Sequence, residues 1–71
     1  QKMYNEEEYL TNKIILIINT FGMAYYCLDE SISKECAENV VKRLQDMGAG
    51  VELFNDGMHN VIYAIVPNRG E

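Results

Sequence analysis

The 71-residue chain carries 11 acidic and 6 basic residues, and its net charge of -5 at pH 7 excludes proteins that bind nucleic acid or anionic membrane through a basic surface. A chain of this length forms one domain, and 48% hydrophobic residues are enough for a core. The longest apolar run, residues 14–18, is far shorter than the roughly 20 residues of a membrane-spanning helix.

The start of the chain and its cysteines both indicate a cytoplasmic protein. The N-terminus lacks the basic segment and following apolar stretch of a secretory signal peptide. The two cysteines, Cys27 and Cys36, are too few for a disulfide scaffold. We expect both to be buried, reduced thiols, because free cysteine is among the residue types most often found in protein interiors.

The first predicted elements follow an acidic segment. Residues 1–12 have no sustained apolar period, so they form either an acidic N-terminal arm or a short helix. Residues 14–18 are a mostly β-branched run that is typical of a strand buried on both faces. Residues 19–22 interrupt this run, and residues 23–28 predict a second strand. The short, glycine-containing connection favours an antiparallel hairpin.

A helix is predicted within residues 31–48. Ser31 and Ser33 offer side-chain oxygens to the free N–H groups at its start. Gly48 and Gly50 mark its end, where a positive φ is common. Between these ends, apolar residues recur at three- and four-residue steps and form one face: Cys36, Ala37, Val40, Val41, Leu44 and Met47. This face is expected to pack on a sheet.

Two further strands are predicted after the helix. Residues 51–55 alternate in polarity, and residues 60–66 are an apolar run that Pro67 ends. Asp56 and Gly57, between them, are typical of a hairpin turn. The predicted fold is therefore α+β with the order ββαββ: one amphipathic helix packed on a small, mainly antiparallel, four-stranded sheet.

The predicted domain leaves one sheet face without cover. We expect it to span residues 13–67, with residues 68–71 as a solvated tail. One helix covers one face of four strands, yet the first and last strands are apolar on both faces. Tyr63, with Tyr25 or Tyr26 depending on register, would place aromatic area on the second face. Either a homodimer forms through this face or the N-terminal segment folds over it.

The sequence predicts neither an enzyme nor a metal or cofactor site. His59 is the only histidine, and it could orient against Asp56. Cys27 and Cys36, however, lack the flanking residues of a catalytic nucleophile. Zinc needs three or four ligands, and closely paired cysteines are absent from the sequence. We therefore expect His59 to be a solvated turn residue.

The acidic residues fall into three clusters. A run of three lies near the N-terminus, a pair precedes the helix, and two more lie within it: Glu6, Glu7 and Glu8, then Asp29 and Glu30, then Glu35 and Glu38. One interpretation is that these carboxylates stabilise helix starts and keep the protein soluble. The other is that they form the binding surface for a basic protein, which the small size and the lack of a catalytic motif favour.

In size, charge and overall pattern, the chain resembles the small acidic early proteins with which lytic phages disable host machinery, and among them the DNA mimics. It is most similar to the phage inhibitors of the bacterial nucleoid protein HU. The resemblance implies that the clustered carboxylates copy DNA phosphates and occupy the nucleic-acid site of a basic, HU-like host protein, in the host cytoplasm or nucleoid. Lys34, Lys42 and Arg43 lie on the predicted helix and limit the mimicry there.

An alternative from a different class of function stays open. The protein would then be a small regulatory or adaptor domain that docks through its sheet face or its sheet edge. In that case the acidic charge would be incidental. The two functions differ in how strongly partner binding depends on salt, since only the first relies on long-range attraction between opposite charges.

Overall fold

The computed structural model describes residues 5–66, which form two helices and one three-stranded sheet. In chain order the elements are α1 (Glu6–Phe21), β1 (Met23–Cys27), α2 (Lys34–Asp46), β2 (Gly50–Asn55) and β3 (Asn60–Ile65). The strand order is β1-β3-β2, and both pairings are antiparallel. The two helices pack on the same face of the sheet, which places the main core between them and the strands.

The chain is a small α+β domain, but the predicted ββαββ order and the four-stranded sheet are wrong. The described chain runs αβαββ with three strands. Residues 14–18, expected to be the first strand of a hairpin, lie in the middle of α1. The N-terminal residues 6–12, for which an arm or a short helix was expected, form the first part of the same helix.

Capping groups fix both ends of α1. Asn5 accepts a hydrogen bond from the backbone N–H of Glu8 at 3.0 Å, which satisfies a free donor of the first turn. Gly22 takes the left-handed conformation, with φ of 86°, and donates its N–H to the Ile18 carbonyl at 2.6 Å. Glycine is needed here because a Cβ atom disfavours this conformation.

The burial pattern of α1 is helical rather than extended. Leu10, Ile14 and Ile18 are buried at four-residue steps, whereas Leu16, between two of them, is 65% exposed. A strand buried on both faces would bury Leu16 together with its neighbours. A β-branched run can therefore lie in a helix when its period matches the core, because packing of one face supplies most helical stability in proteins.

The predicted helix within residues 31–48 is present as α2, although it is not the only long helix. Ser33 caps it by accepting the N–H of Cys36 at 3.0 Å. Most of the expected apolar face is buried or half-buried, with Ala37, Val40 and Leu44 at its centre. Met47 is exposed, because it lies beyond the last helical residue.

The three later strands of the prediction are present as β1, β2 and β3, and their register decides which side chains face the helices. Ala24 pairs with Ala64, and Val51 pairs with Ala64 from the other side. Two residues away along β3, Ile62 pairs with Tyr26 on one side and with Leu53 on the other. These residues alternate with a second set that faces away from the helices. The sheet therefore presents one face to the core and one to the outside.

The packing of α1 bears on the two explanations for the uncovered sheet face, which are a homodimer and an N-terminal segment folded over it. Because α1 packs on the same face as α2, the described N-terminal segment does not cover the opposite face. A homodimer through that face stays a prediction. Among residues 5–66, neither helix has the length and apolarity that crossing a bilayer requires. The predicted tail, residues 68–71, and the strand-ending Pro67 lie outside the described residues.

Candidate functional site

The sheet face that points away from the helices, which we call the outer face, carries an aromatic patch. The register places three sets of side chains on it: Met23, Tyr25 and Cys27 from β1, Val61, Tyr63 and Ile65 from β3, and Gly50, Glu52 and Phe54 from β2. Tyr25 is 54% exposed. Its ring meets those of Phe54 and Tyr63 edge-to-face, with centroids 6.0 and 6.4 Å apart.

At one end of the outer face, three potential metal ligands converge from separate parts of the chain. The cysteine Sγ, one carboxylate oxygen and one imidazole nitrogen of Cys27, Asp56 and His59 all lie within 4.8 Å of one another. Cys27 is opposite Val61, and His59 lies just before β3, in the turn that precedes it. The turn after β2 places Asp56 beside them. We call these residues the Cys27–Asp56–His59 cluster.

The turn between β2 and β3 holds Asp56 in place. One carboxylate oxygen, Oδ1, accepts the backbone N–H groups of Met58 and His59 at 2.9 and 2.8 Å. The Asp56 N–H in turn donates to the His59 carbonyl at 3.0 Å. These hydrogen bonds, first that from His59 and then that from Met58, lower the pKa of the Asp56 carboxyl. The side chain is therefore an oriented carboxylate at neutral pH.

The cluster has the residue types of a catalytic cysteine with its base, but it lacks the water-excluding surroundings of a catalytic site. All three side chains are exposed, so water is not kept away from the thiol. Such a set of sulfur, nitrogen and oxygen donors is better suited to holding a cation than to covalent catalysis.

The sequence did not predict this cluster, although it contains its three residues. Cys27 was expected to be buried, and that is wrong: it is an exposed free thiol on the outer face. Cys36 is a half-buried free thiol. The expected solvated position of His59 is confirmed, but its proximity to Cys27 depends on the pairing of β1 with β3. The sequence alone does not give the register between β1 and β3, because the two strands are far apart along the chain.

The expected acidic site residues lie mostly at one end of the molecule. Glu6 and Glu7 are close enough to Cys36 to raise its pKa, so the first turn of α1 lies beside the start of α2. The loop before α2 starts where β1 ends, and Leu28 there donates its N–H to the Asn60 carbonyl at 2.8 Å. Asn60 adjoins the β2–β3 turn. We call this region, comprising residues 6–8, 28–38 and 56–59, the acidic end.

Each expected acidic residue has a defined place at the acidic end. Five are exposed: Glu8 on α1, Asp29 and Glu30 in the loop, and Glu35 and Glu38 on α2. Glu6 and Glu7 are half-buried, and Glu7 accepts a hydrogen bond from Arg43 Nε in an ion pair of 3.0 Å. Lys34, the first residue of α2, adds one cation. The carboxylates nevertheless outnumber the cations there, which leaves the end negative.

The pKa of Cys36 reports on how the two helices meet. Burial raises the pKa of this thiol, and the carboxylates of Glu6 and Glu7 raise it further. At neutral pH the reactive thiolate is therefore suppressed, and exposed Cys27 should be alkylated by iodoacetamide faster than Cys36. Glu6→Gln should accelerate alkylation of Cys36, which peptide mass spectrometry measures residue by residue.

The control for this prediction is Glu52→Gln, because Glu52 lies on the outer face, across the sheet from Cys36. That variant removes the same charge and should leave the alkylation rate of Cys36 unchanged. Equal rates in wild type and Glu6→Gln would mean that the first turn of α1 does not lie beside α2.

Comparison of the chain with protein-family models, curated proteins and solved structures finds no match.

Proposed function

We propose that this protein binds a basic DNA-binding protein of a bacterial host, of the HU type, and occupies its DNA site. The observation that supports the proposal is the acidic end. The fold gathers carboxylates from α1, the loop before α2, α2 itself and the β2–β3 turn, although these segments are far apart in sequence. An array of exposed negative charge attracts a surface that has evolved to bind phosphates.

The arrangement of the charges supports an array rather than a single contact. With Asp56, the six exposed carboxylates of the acidic end come from four segments, so no single helix face carries the charge. Two of them, Glu8 and Glu35, lie in the first turn of a helix and also stabilise it, since carboxylates favour the positive end of the helix dipole. The two roles are compatible, because a side chain at the first turn of a helix remains accessible to a partner. We propose a cytoplasmic location, which the two free thiols support.

The test is displacement of labelled duplex DNA from purified HU by the full-length protein. We expect displacement at low salt and a steep loss as salt rises, because the Debye length falls from about 10 Å at 0.1 M to about 3 Å at 1 M. The variant Glu8→Gln/Glu30→Gln should weaken displacement, since both carboxylates belong to the acidic end. Circular dichroism shows whether the variant is folded.

A matched variant distinguishes the effect of where the carboxylates lie from the effect of the net charge. Asp46→Asn/Glu52→Gln changes the net charge by the same amount, but Asp46 is the last residue of α2 and Glu52 lies on the outer face. It should displace DNA almost as well as the wild type. If the wild-type protein leaves DNA on HU at low salt, or if the two double variants behave alike, the acidic end is not a DNA mimic.

A second candidate function is supported by the open edge of β1. Since the strand order is β1-β3-β2, one side of β1 has no neighbouring strand in the described part of the chain. β1 contains neither proline nor a charged residue, and these are the usual means of blocking an edge. An extended peptide of a partner could add there as a further strand, as in adaptor domains. Such binding would change little with salt, which distinguishes it from the first candidate.

A further inference from the structure

We propose that Cys27, Asp56 and His59 form a binding site for a divalent transition-metal ion, with Zn²⁺ as the ion that this set of ligands favours. The site would lie at the corner of the outer face, where the end of edge strand β1 meets the β2–β3 turn. The site shares only Asp56 with the carboxylates of the acidic end, and metal binding is measured without the basic partner, so the two proposals can fail separately.

The distances in the cluster are close to those of a coordination shell. The three ligand atoms lie within 4.8 Å of one another. In a tetrahedral zinc site with metal–ligand bonds of about 2.0–2.3 Å, neighbouring ligand atoms are roughly 3.3–3.8 Å apart. Small rotations of exposed side chains therefore bring the three atoms into contact with one ion. Water would take the fourth position, since all three residues face solvent.

The backbone holds all three ligands before any ion binds. Cys27 is fixed by its pairing with Val61 in the sheet, and the next residue is bonded to the Asn60 carbonyl. Asp56 and His59 are tied to each other across the turn by two hydrogen bonds, from the Asp56 N–H to the His59 carbonyl and from the His59 N–H to Oδ1 of Asp56. Because Oδ1 of Asp56 already accepts two N–H groups, its other oxygen, Oδ2, is left to coordinate a cation.

The chemistry of the donors selects the ion. A thiolate is a soft ligand that favours zinc over calcium and magnesium, which prefer shells made of oxygen alone. One thiolate and one carboxylate balance the charge of a divalent ion, and the neutral imidazole completes the set. The overall charge of -5 also raises the local concentration of cations around the protein.

The experiment is titration of the full-length protein with Zn²⁺ or Co²⁺ under a reductant that contains no thiol. We expect one ion per chain, release of protons on binding, and for Co²⁺ the absorption band of a cobalt–thiolate bond. Cys27→Ser, His59→Gln and Asp56→Asn should each weaken binding by at least about tenfold, which is the low end for changes around a metal site. Circular dichroism without metal checks that each variant is folded.

Cys36→Ser is the matched control, because it removes the other thiol, which lies outside the cluster. That variant should bind both ions as the wild type does and keep the cobalt–thiolate band. The proposal is overturned if the wild type binds Zn²⁺ no more tightly than Cys27→Ser. It is also overturned if the cobalt–thiolate band disappears in Cys36→Ser, or if Ca²⁺ competes with Zn²⁺ at equal concentration.

Discussion

Ile14→Ala should lower the free energy of unfolding by about 2–5 kcal/mol, the usual cost of deleting a buried isoleucine side chain. Ile14 has no exposed surface and lies in the core under α1. A chain of this length has a total stability on the order of 4–11 kcal/mol, so the variant should lose a large fraction of it. Urea denaturation followed by circular dichroism measures the change.

The control is Leu16→Ala, two residues further along the same helix. Leu16 is mostly exposed, so this variant should change the stability by less than about 0.5 kcal/mol. Together, the two variants distinguish the helix from the strand that the sequence predicted. If both variants were equally destabilised, residues 14–18 would be buried on both faces and α1 would not be a helix there.

Val61→Asp should destabilise the protein by about 3 kcal/mol or more, because it places an unpaired charge in a position without solvent contact. Val61 has no exposed surface, although it lies on the outer face, outside the main core. Phe54 is directly opposite Val61 in the register, and its ring meets that of Tyr25 across β3. These rings and Val61 thus form a small second core on the outer face.

Met58→Asp is the control for this prediction, since Met58 is 83% exposed in the β2–β3 turn. That variant should stay within about 0.5 kcal/mol of the wild type. Thermal unfolding in the presence of a metal chelator measures both variants, so that binding of a cation in the turn does not contribute. A stable Val61→Asp protein would show that the aromatic rings do not cover β3.

The sequence was sufficient to predict α2 and the three strands, because each has its own local evidence. Ser33 and the apolar face after it mark α2, and Asp56 with Gly57 marks the turn between β2 and β3. The N-terminal helix was missed for an equally local reason. The β-branched run 14–18 predicts a strand and residues 19–22 predict a turn, whereas in the structure Asn5 and Gly22 cap the two ends of a helix. The helix forms because the buried residues of the segment follow a helical period, and because the caps satisfy backbone groups that the ends of a helix leave free.

The candidate sites differ in how far the sequence could predict them. The acidic clusters are visible in the sequence, but their meeting at one end depends on helices that start at the same end of the sheet. The Cys27–Asp56–His59 cluster depends on strand order as well. Cys27 meets His59 because β3 pairs with β1 rather than with β2 alone. A long-range pairing of this kind leaves no trace in the spacing of residues along a single chain.

The central position of β3 also sets the order in which the sheet can assemble. β2 and β3 are joined by a short turn, so their pairing closes a small loop at little cost in chain entropy. β1 can reach β3 only when a loop containing the whole of α2 and β2 has closed, which makes this pairing the slower step. Until β1 docks, the folding chain carries β3 as an unpaired apolar edge. That interval is when the new protein is most open to pairing with a strand from another molecule.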